Sequence, residues 1–259
     1  MSPDSPRTVR FGCAYFGVRD PDYFEADLAA IARGGCSWVL FPFSHDDALW
    51  EASTFRALVA AAERHGLEPV ISPWGGDDFG GEGVQTALPT RDWLARARAT
   101  GASILHVDEP KSGRLTIGEV LDAWGDDWST WLTIEPHRAG ILDPATIDRV
   151  GVLGTDAYSG TVAERVAATR AFAEQTGRLD LAWVQAFRIP DGGEPAVADA
   201  VQAMAGLAPL VGIWGWKGST GRGELRSANP GRVQQAVERA VAAVRASASR
   251  GGGGRRRSS

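Results

Sequence analysis

Apolar and polar positions alternate along this chain in short runs that recur about every thirty residues. The runs are VRFGCAYF (9–16), SWVLFPF (37–43), EPVISPW (68–74), SILHVDE (103–109), STWLTIE (129–135), GVLGTDAY (151–158), LAWVQAF (181–187) and LVGIWGW (210–216). Each is four to eight residues rich in β-branched and aromatic side chains, the signature of a strand. Helical patterns separate them. Residues 21–35 begin with a proline and end in two glycines, and 52–66 ends at Gly66, both standard helix punctuation. Residues 161–177 and 231–247 repeat the pattern, and 116–124, 143–150 and 196–205 are shorter helical segments. Eight strand–helix units in one chain of this length predict a single (β/α)8 TIM barrel over residues 9–247. Residues 1–8 form an N-terminal tail, and the Gly/Arg/Ser segment 248–259 reads as a disordered tail. An open doubly wound sheet is the competing architecture, but no G-x-G-x-x-G turn follows the first strand.

In a TIM barrel chemistry gathers at the C-terminal ends of the strands, and here polar residues collect there. Strand 1 ends at Tyr15 with Arg19 beyond it, and strand 2 runs into Ser44, His45 and Asp46. Strand 3 ends at Trp74 before the loop GGDDFGGEG (75–83), in which Glu82 is flanked by glycines that let the backbone approach a ligand. Strand 4 ends in Asp108 and Glu109, strand 5 in Glu135 and His137, and strand 6 in Asp156 and Tyr158. Strand 7 contributes Gln185, and strand 8 contributes Trp214, Trp216 and Lys217. The period of two orients the acids. Leu105 and Val107 face the helices, so His106 and Asp108 point to the barrel axis. Leu132 and Ile134 likewise turn Thr133 and Glu135 inward. Glu109 stands at a turn before Pro110 that can re-aim it, and alternation leaves the direction of Asp156 open.

The 259 residues carry a formal charge of -5, which argues against a nucleic-acid binder. No apolar run approaches a membrane span, and the N-terminus lacks an apolar signal segment, so a cytoplasmic location is expected. Cys13 and Cys36 read as small core residues. Ten tryptophans are many for this length. Trp38, Trp93, Trp124 and Trp183 fall in packing patterns, whereas Trp74, Trp214 and Trp216 stand beside glycines at strand ends, where sugar-stacking platforms are expected. His106, inside an apolar run, reads as a satisfied core histidine before it reads as a ligand.

Three functions fit this ring. The first is a glycoside hydrolase using one of Asp108 and Glu109 with Glu135 as acid and as nucleophile or base, with Asp156 in reserve. Tyr15, Arg19, His45, Asp47, Trp74, Glu82, His137, Tyr158, Gln185, Trp214, Trp216 and Lys217 would then bind a small carbohydrate or glycoside. That reading needs no cofactor. The second is a sugar isomerase or epimerase that holds Mg²⁺ or Mn²⁺ among the same acids and histidines. The third is a phosphosugar enzyme or a non-catalytic sugar binder, with phosphate near Lys217 and Arg222 in WKGSTGRGE (216–224). Short-range ion pairs, Asp108 with Lys111 or Glu135 with Arg138, account for single acids but poorly for acids on three consecutive strands.

The strings FGCAYFGVRD, FPFSHDD, ISPWGGDDFGGEG and HVDEP also resemble an uncharacterised bacterial family of glycoside-hydrolase-like (β/α)8 barrels. That family carries a Y-F-G-x-R start, S-E-x-D at strand 2, P-W-G followed by F-G-G-E, and D-E-P at strand 4. The resemblance covers most of the first 110 residues. It implies a barrel acting on carbohydrate, with Arg19, Asp47, Trp74, Glu82, Asp108 and Glu109 at motif positions. His45 stands where the pattern has Glu.

Overall fold

In the computed structural model, residues 8–17, 22–43, 52–73, 95, 97–109, 118, 121–122, 128–218 and 225–252 are described. Eight strands form where the alternation predicts them: β1 (Arg10–Ala14), β2 (Cys36–Phe43), β3 (Glu68–Pro73), β4 (Ile104–Asp108), β5 (Ser129–Thr133), β6 (Val152–Thr155), β7 (Leu181–Gln185) and β8 (Leu210–Trp214). All pair in parallel and in sequence order, and β8 closes onto β1. The chain is a (β/α)8 barrel. Among the described residues the helices are α1 (Phe24–Arg33), α2 (Ala52–Arg64), α3 (Pro144–Arg149), α4 (Val162–Thr176), α5 (Glu194–Ala205) and α6 (Pro230–Gly252). The predicted segment 116–124 lies largely outside the described residues. Helix α6 runs past the boundary drawn at 247, because the alanine-rich register of 236–249 carries the helix into the first glycines of the tail.

Period-two alternation separates the apolar side chains into two sets. Leu105, Val107, Leu132 and Ile134 join the layer between barrel and helices, as the pattern requires. The inward set forms a second cluster: Ala14, Trp38, Leu40, Val70, Ile104, Trp131, Leu181, Trp183, Leu210 and Trp214. Four indoles therefore fill the barrel. Trp38 meets Trp131 and Trp183 edge-to-face at centroid distances of 5.1 and 5.5 Å, and Trp183 meets Trp214 at 5.0 Å. Such contacts are worth about 0.5–1.5 kcal/mol each beyond burial.

Glycine on the neighbouring strand makes the room. Gly12 pairs with Trp38 and Gly212 with Trp183. A Cβ at Gly12 would stand 2.0 Å from the Trp38 ring, and one at Gly212 would stand 2.3 Å from Trp183. Below the indoles, an Arg10–Glu68 ion pair of 2.6 Å lies at the N-terminal mouth. The two cysteines are free and buried. Among the described residues, no helix is long and apolar enough to cross a membrane.

Candidate active site

Above the indole layer the inward positions turn polar. His106 is fully buried, with Nδ1 2.9 Å from Ser72 Oγ and Nε2 2.7 Å from Thr133 Oγ1. The Trp183 indole N–H donates to the same Thr133 oxygen at 2.9 Å. Thr133 therefore has its own proton free for His106 Nε2. That leaves Nδ1–H to donate to Ser72, whose hydroxyl reaches the His106 carbonyl at 3.4 Å. One neutral tautomer satisfies every member of this chain. Burial pushes the imidazole pKa down to about 3, so the ring stays neutral.

The acids stand on top of this network. Asp108 ends β4 in register with Thr133. Glu109 follows with φ 39°, a left-handed turn rare for a residue with a side chain, and its N–H donates to Thr133 O at 3.0 Å. That turn swings Glu109 towards β6, where its carboxyl is hydrogen-bonded to that of Asp156. Thr133 pairs with Gly154, and the same register carried two residues further sets Glu135 beside Asp156.

Asp156 is only 6% exposed, and its Oδ1 has no hydrogen-bond partner among the described residues. Burial is the largest influence on it, followed by Glu109 and then by the charges of Asp108 and Glu135. Each pushes its pKa well above the usual carboxylate range. Two carboxyl groups at hydrogen-bonding distance cannot both ionise cheaply, so the Asp156–Glu109 pair keeps a proton. Burial, then the charges of Asp156, Asp108 and Glu109, also raise Tyr158, which therefore remains a phenol able to donate. Its ring meets Phe187 edge-on at 5.5 Å.

These groups open on a cavity of about 510 Å³ lined by Glu109, Glu135, His137, Asp156 and Tyr158, and further out by Pro136, Ala157, Ser159, Ala168 and Ala171. That volume lies within the ordinary range for small-molecule sites. On the Glu135 side, Arg138 Nη1 and His137 Nε2 approach its Oε2 at 3.8 and 3.9 Å. A second cavity, of about 420 Å³, lies between α1 and α6 and contains none of the candidate residues.

The other candidates fall into three groups. Trp214 and Gln185 stand side by side on β8 and β7; Trp214 packs on Trp183 and Phe16, and the Gln185 amide donates to Phe187 O at 2.9 Å. Tyr15, Trp216 and Lys217 sit on the helix side instead of with the acids. Tyr15 donates to Asp27 Oδ2 at 2.9 Å, and Lys217 forms an ion pair with the same carboxylate. Trp216 is buried in the outer core against Gly34. The reason is backbone: Gly215 at φ 94° and Lys217 at φ 59° break the alternation just past β8. Arg19, His45, Asp47, Trp74 and Glu82 lie outside the described residues, as do Lys111 and Arg222.

The alternation already places Ser72, His106 and Thr133 at inward positions, so their network was within reach of the sequence. The lining from Ala157 to Ala171 carried no such signal, since alanine in a helix is unremarkable. Among the described residues, no three His, Cys, Asp or Glu side chains are grouped to hold a metal ion.

The architecture and site define a (β/α)8 barrel with a carboxyl cluster at the C-terminal end of β4–β6. No family model matches the chain, and no curated protein matches it. Among solved structures it is similar to a GH5_18 protein of Streptomyces cattleya in complex with Manb1-4GlcNAc, at 16% identity and TM-score 0.65, covering 92% of this chain and 80% of that one. It is similar to the exo-beta-1,4-mannosidase Op5Man5 of Opitutaceae bacterium strain TAV5, at 13% identity and TM-score 0.66, covering 97% of this chain and 63% of the other. It is also similar to the N-acetylneuraminic acid synthetase of Leptospira borgpetersenii serovar Hardjo-bovis, at 11% identity and TM-score 0.60, covering 99% and 88%. At these identities the likeness is one of fold.

Proposed function

We propose that this barrel is a glycoside hydrolase acting on a small carbohydrate or glycoside. The observation that carries the reading is the buried Asp156 carboxyl. It is hydrogen-bonded to Glu109, has one oxygen without a partner among the described residues, and lines the same cavity as Glu135. Asp156 is the proton donor. Its proton passes to the glycosidic oxygen as the bond from that oxygen to the anomeric carbon breaks. Glu135 is the second carboxylate, and Glu109 and Asp108 keep the proton on Asp156. Adjacent strands lie about 4.8 Å apart, close to the roughly 5–5.5 Å between carboxyl groups in retaining enzymes. Glu135 beside Asp156 on neighbouring strands therefore fits attack by Glu135 on the anomeric carbon and retention of configuration. Sugar ligands and a mannosidase among the structural neighbours agree with the reading without specifying the substrate.

The test is a panel of aryl and alkyl glycosides of mannose, glucose and N-acetylglucosamine. With a substrate in hand, Asp156→Asn is expected to lower kcat/KM by roughly 10²–10⁴, the usual range for a general acid. The loss should be much smaller for dinitrophenyl glycosides, whose leaving group needs no proton. Wild-type activity should fall on the alkaline side, as Asp156 loses its proton. Equal loss on both leaving groups would remove Asp156 from the acid role. Full activity of both Asp156→Asn and Glu135→Gln would move the chemistry elsewhere.

A further inference from the structure

The cavity has two chemically different halves. Glu109, Glu135 and Asp156 form one, over the barrel axis. The other leaves the barrel sideways, between the short 3-10 turn Pro136–Ile141 and helix α4; Pro136, Ala157, Ala168 and Ala171 make its apolar wall, with His137 and Ser159 the polar residues at its edge. Ala168 and Ala171 lie one turn apart on one face of α4, where any longer side chain would fill the groove. The groove also has an end. A turn beyond Ala171, the Gln175 amide stands 3.3 Å from where a Cβ on Gly140 would be, so helix and 3-10 turn meet there. From Ala168 to Gln175 is seven residues, a run of about 10 Å at the helical rise. Where the halves join stands Asp156, 6% exposed, with an oxygen that has no hydrogen-bond partner among the described residues.

We infer that the α4 side of the cavity is a subsite for an apolar group, so that the substrate is a glycoside of a hydrophobic alcohol, aryl or alkyl, rather than an oligosaccharide. The inference rests on the hydrolase reading for its polar half only. Sugar hydroxyls meet the acids, the glycosidic oxygen lies at the Asp156 carboxyl, and the aglycone runs along the alanines. A second sugar in that half would find only His137 and Ser159 as polar partners, and its remaining hydroxyls would face Ala157, Ala168, Ala171 and Pro136, which offer no hydrogen bond. A groove about 10 Å long takes one aromatic ring or a chain the length of octyl.

The experiment compares octyl and methyl glycosides of one sugar, both as substrates and as non-hydrolysed thioglycosides whose binding is followed by tryptophan fluorescence. Wild type should prefer the octyl compound at least tenfold in each measurement. Ala168→Phe, which fills the groove, should reduce that preference roughly tenfold or more, the scale of a few methylenes in an apolar pocket. Ala171→Leu, at an exposed position, repeats the test should the bulkier variant not fold by circular dichroism. No octyl preference in wild type, or a preference unmoved in both folded variants, overturns the subsite. The two readings separate cleanly. Octyl thioglycoside binding lost in the variants without turnover of any glycoside supports the subsite and removes the hydrolase. Turnover with an unmoved octyl-to-methyl ratio does the reverse.

Discussion

Lowering the pH from 8 to 5 should destabilise this protein through His106, and the size of the effect follows from its surroundings. The ordinary imidazole pKa is 6.5, and burial, with the Trp183 and Trp214 rings against it, holds His106 at about 3. A depressed pKa means that the folded state refuses a proton that the unfolded chain accepts. The resulting stability is complete above the unfolded value and is lost as pH falls from 6.5 towards 3. At pH 5 the unfolded imidazole is almost fully protonated and the folded one almost fully neutral, which costs about 2 kcal/mol relative to pH 8. Towards pH 3 the loss approaches about 5 kcal/mol, comparable with the whole stability of many domains. Asp156 works in the opposite direction. Its raised pKa contributes stability that is present at low pH and lost as pH rises through the folded value. The two are separated by comparing wild type with His106→Asn in urea, read by tryptophan fluorescence at pH 8 and pH 5. The variant loses hydrogen bonds to Thr133 or Ser72 at both pH values, a constant offset, whereas only wild type carries the histidine slope. The wild-type advantage should therefore shrink by about 2 kcal/mol at pH 5. A difference that stays constant within about 0.5 kcal/mol would mean that the ring is hydrated or charged in the folded protein, and the tautomer assigned above would fall with it.

Two further substitutions probe the scaffold. Gly212→Ala drives a methyl into Trp183, which cannot swing aside without releasing its bond to Thr133; a loss of about 3 kcal/mol or more is expected from overpacking plus an unpaired indole N–H, measured by urea or thermal unfolding. Thr161→Ala removes the capping box in which Thr161 and Glu164 satisfy each other's backbone N–H at the start of α4, and should cost about 1 kcal/mol with no change in the pH dependence of activity.

How far the sequence could be read depended on the range over which its rules act. Alternation is local and strict, so the eight strands, the outward Leu105, Val107, Leu132 and Ile134, and the inward Thr133 were all legible. The gathering of Asp108, Glu109, Glu135 and Asp156 followed from strand order. Beyond the last paired residue, alternation no longer applies. Trp216 and Lys217, placed in the pocket by extrapolating β8, are turned onto α1 by two left-handed residues. Trp214, read as a platform, packs in the barrel against Trp183, as Trp131 does against Trp38. The indoles they pack on, Trp38 and Trp183, fit because a glycine stands opposite each on the neighbouring strand, visible only once register is known. The re-aimed Glu109 had its cue in Pro110, but the partner it turns towards, Asp156, lies forty-seven residues on.

The packing of the barrel and the chemistry at its rim are one arrangement. Trp38, Trp131, Trp183 and Trp214 exclude water from the space beneath the acids, and the Ser72–His106–Thr133 chain closes the last polar positions between them without adding a charge. A charged His106 at that level would pull the carboxyl pKa values above it downwards; a neutral one leaves burial and mutual repulsion to act unopposed from below. Burial above this uncharged aromatic layer, then Glu109, Asp108 and Glu135, push the Asp156 carboxyl well above the usual carboxylate range. Glycines at 12 and 212 make that layer possible, since only a strand without a Cβ there lets an indole lie across its neighbour. Residues that never touch a ligand thereby set the protonation state of the one proposed to act on it.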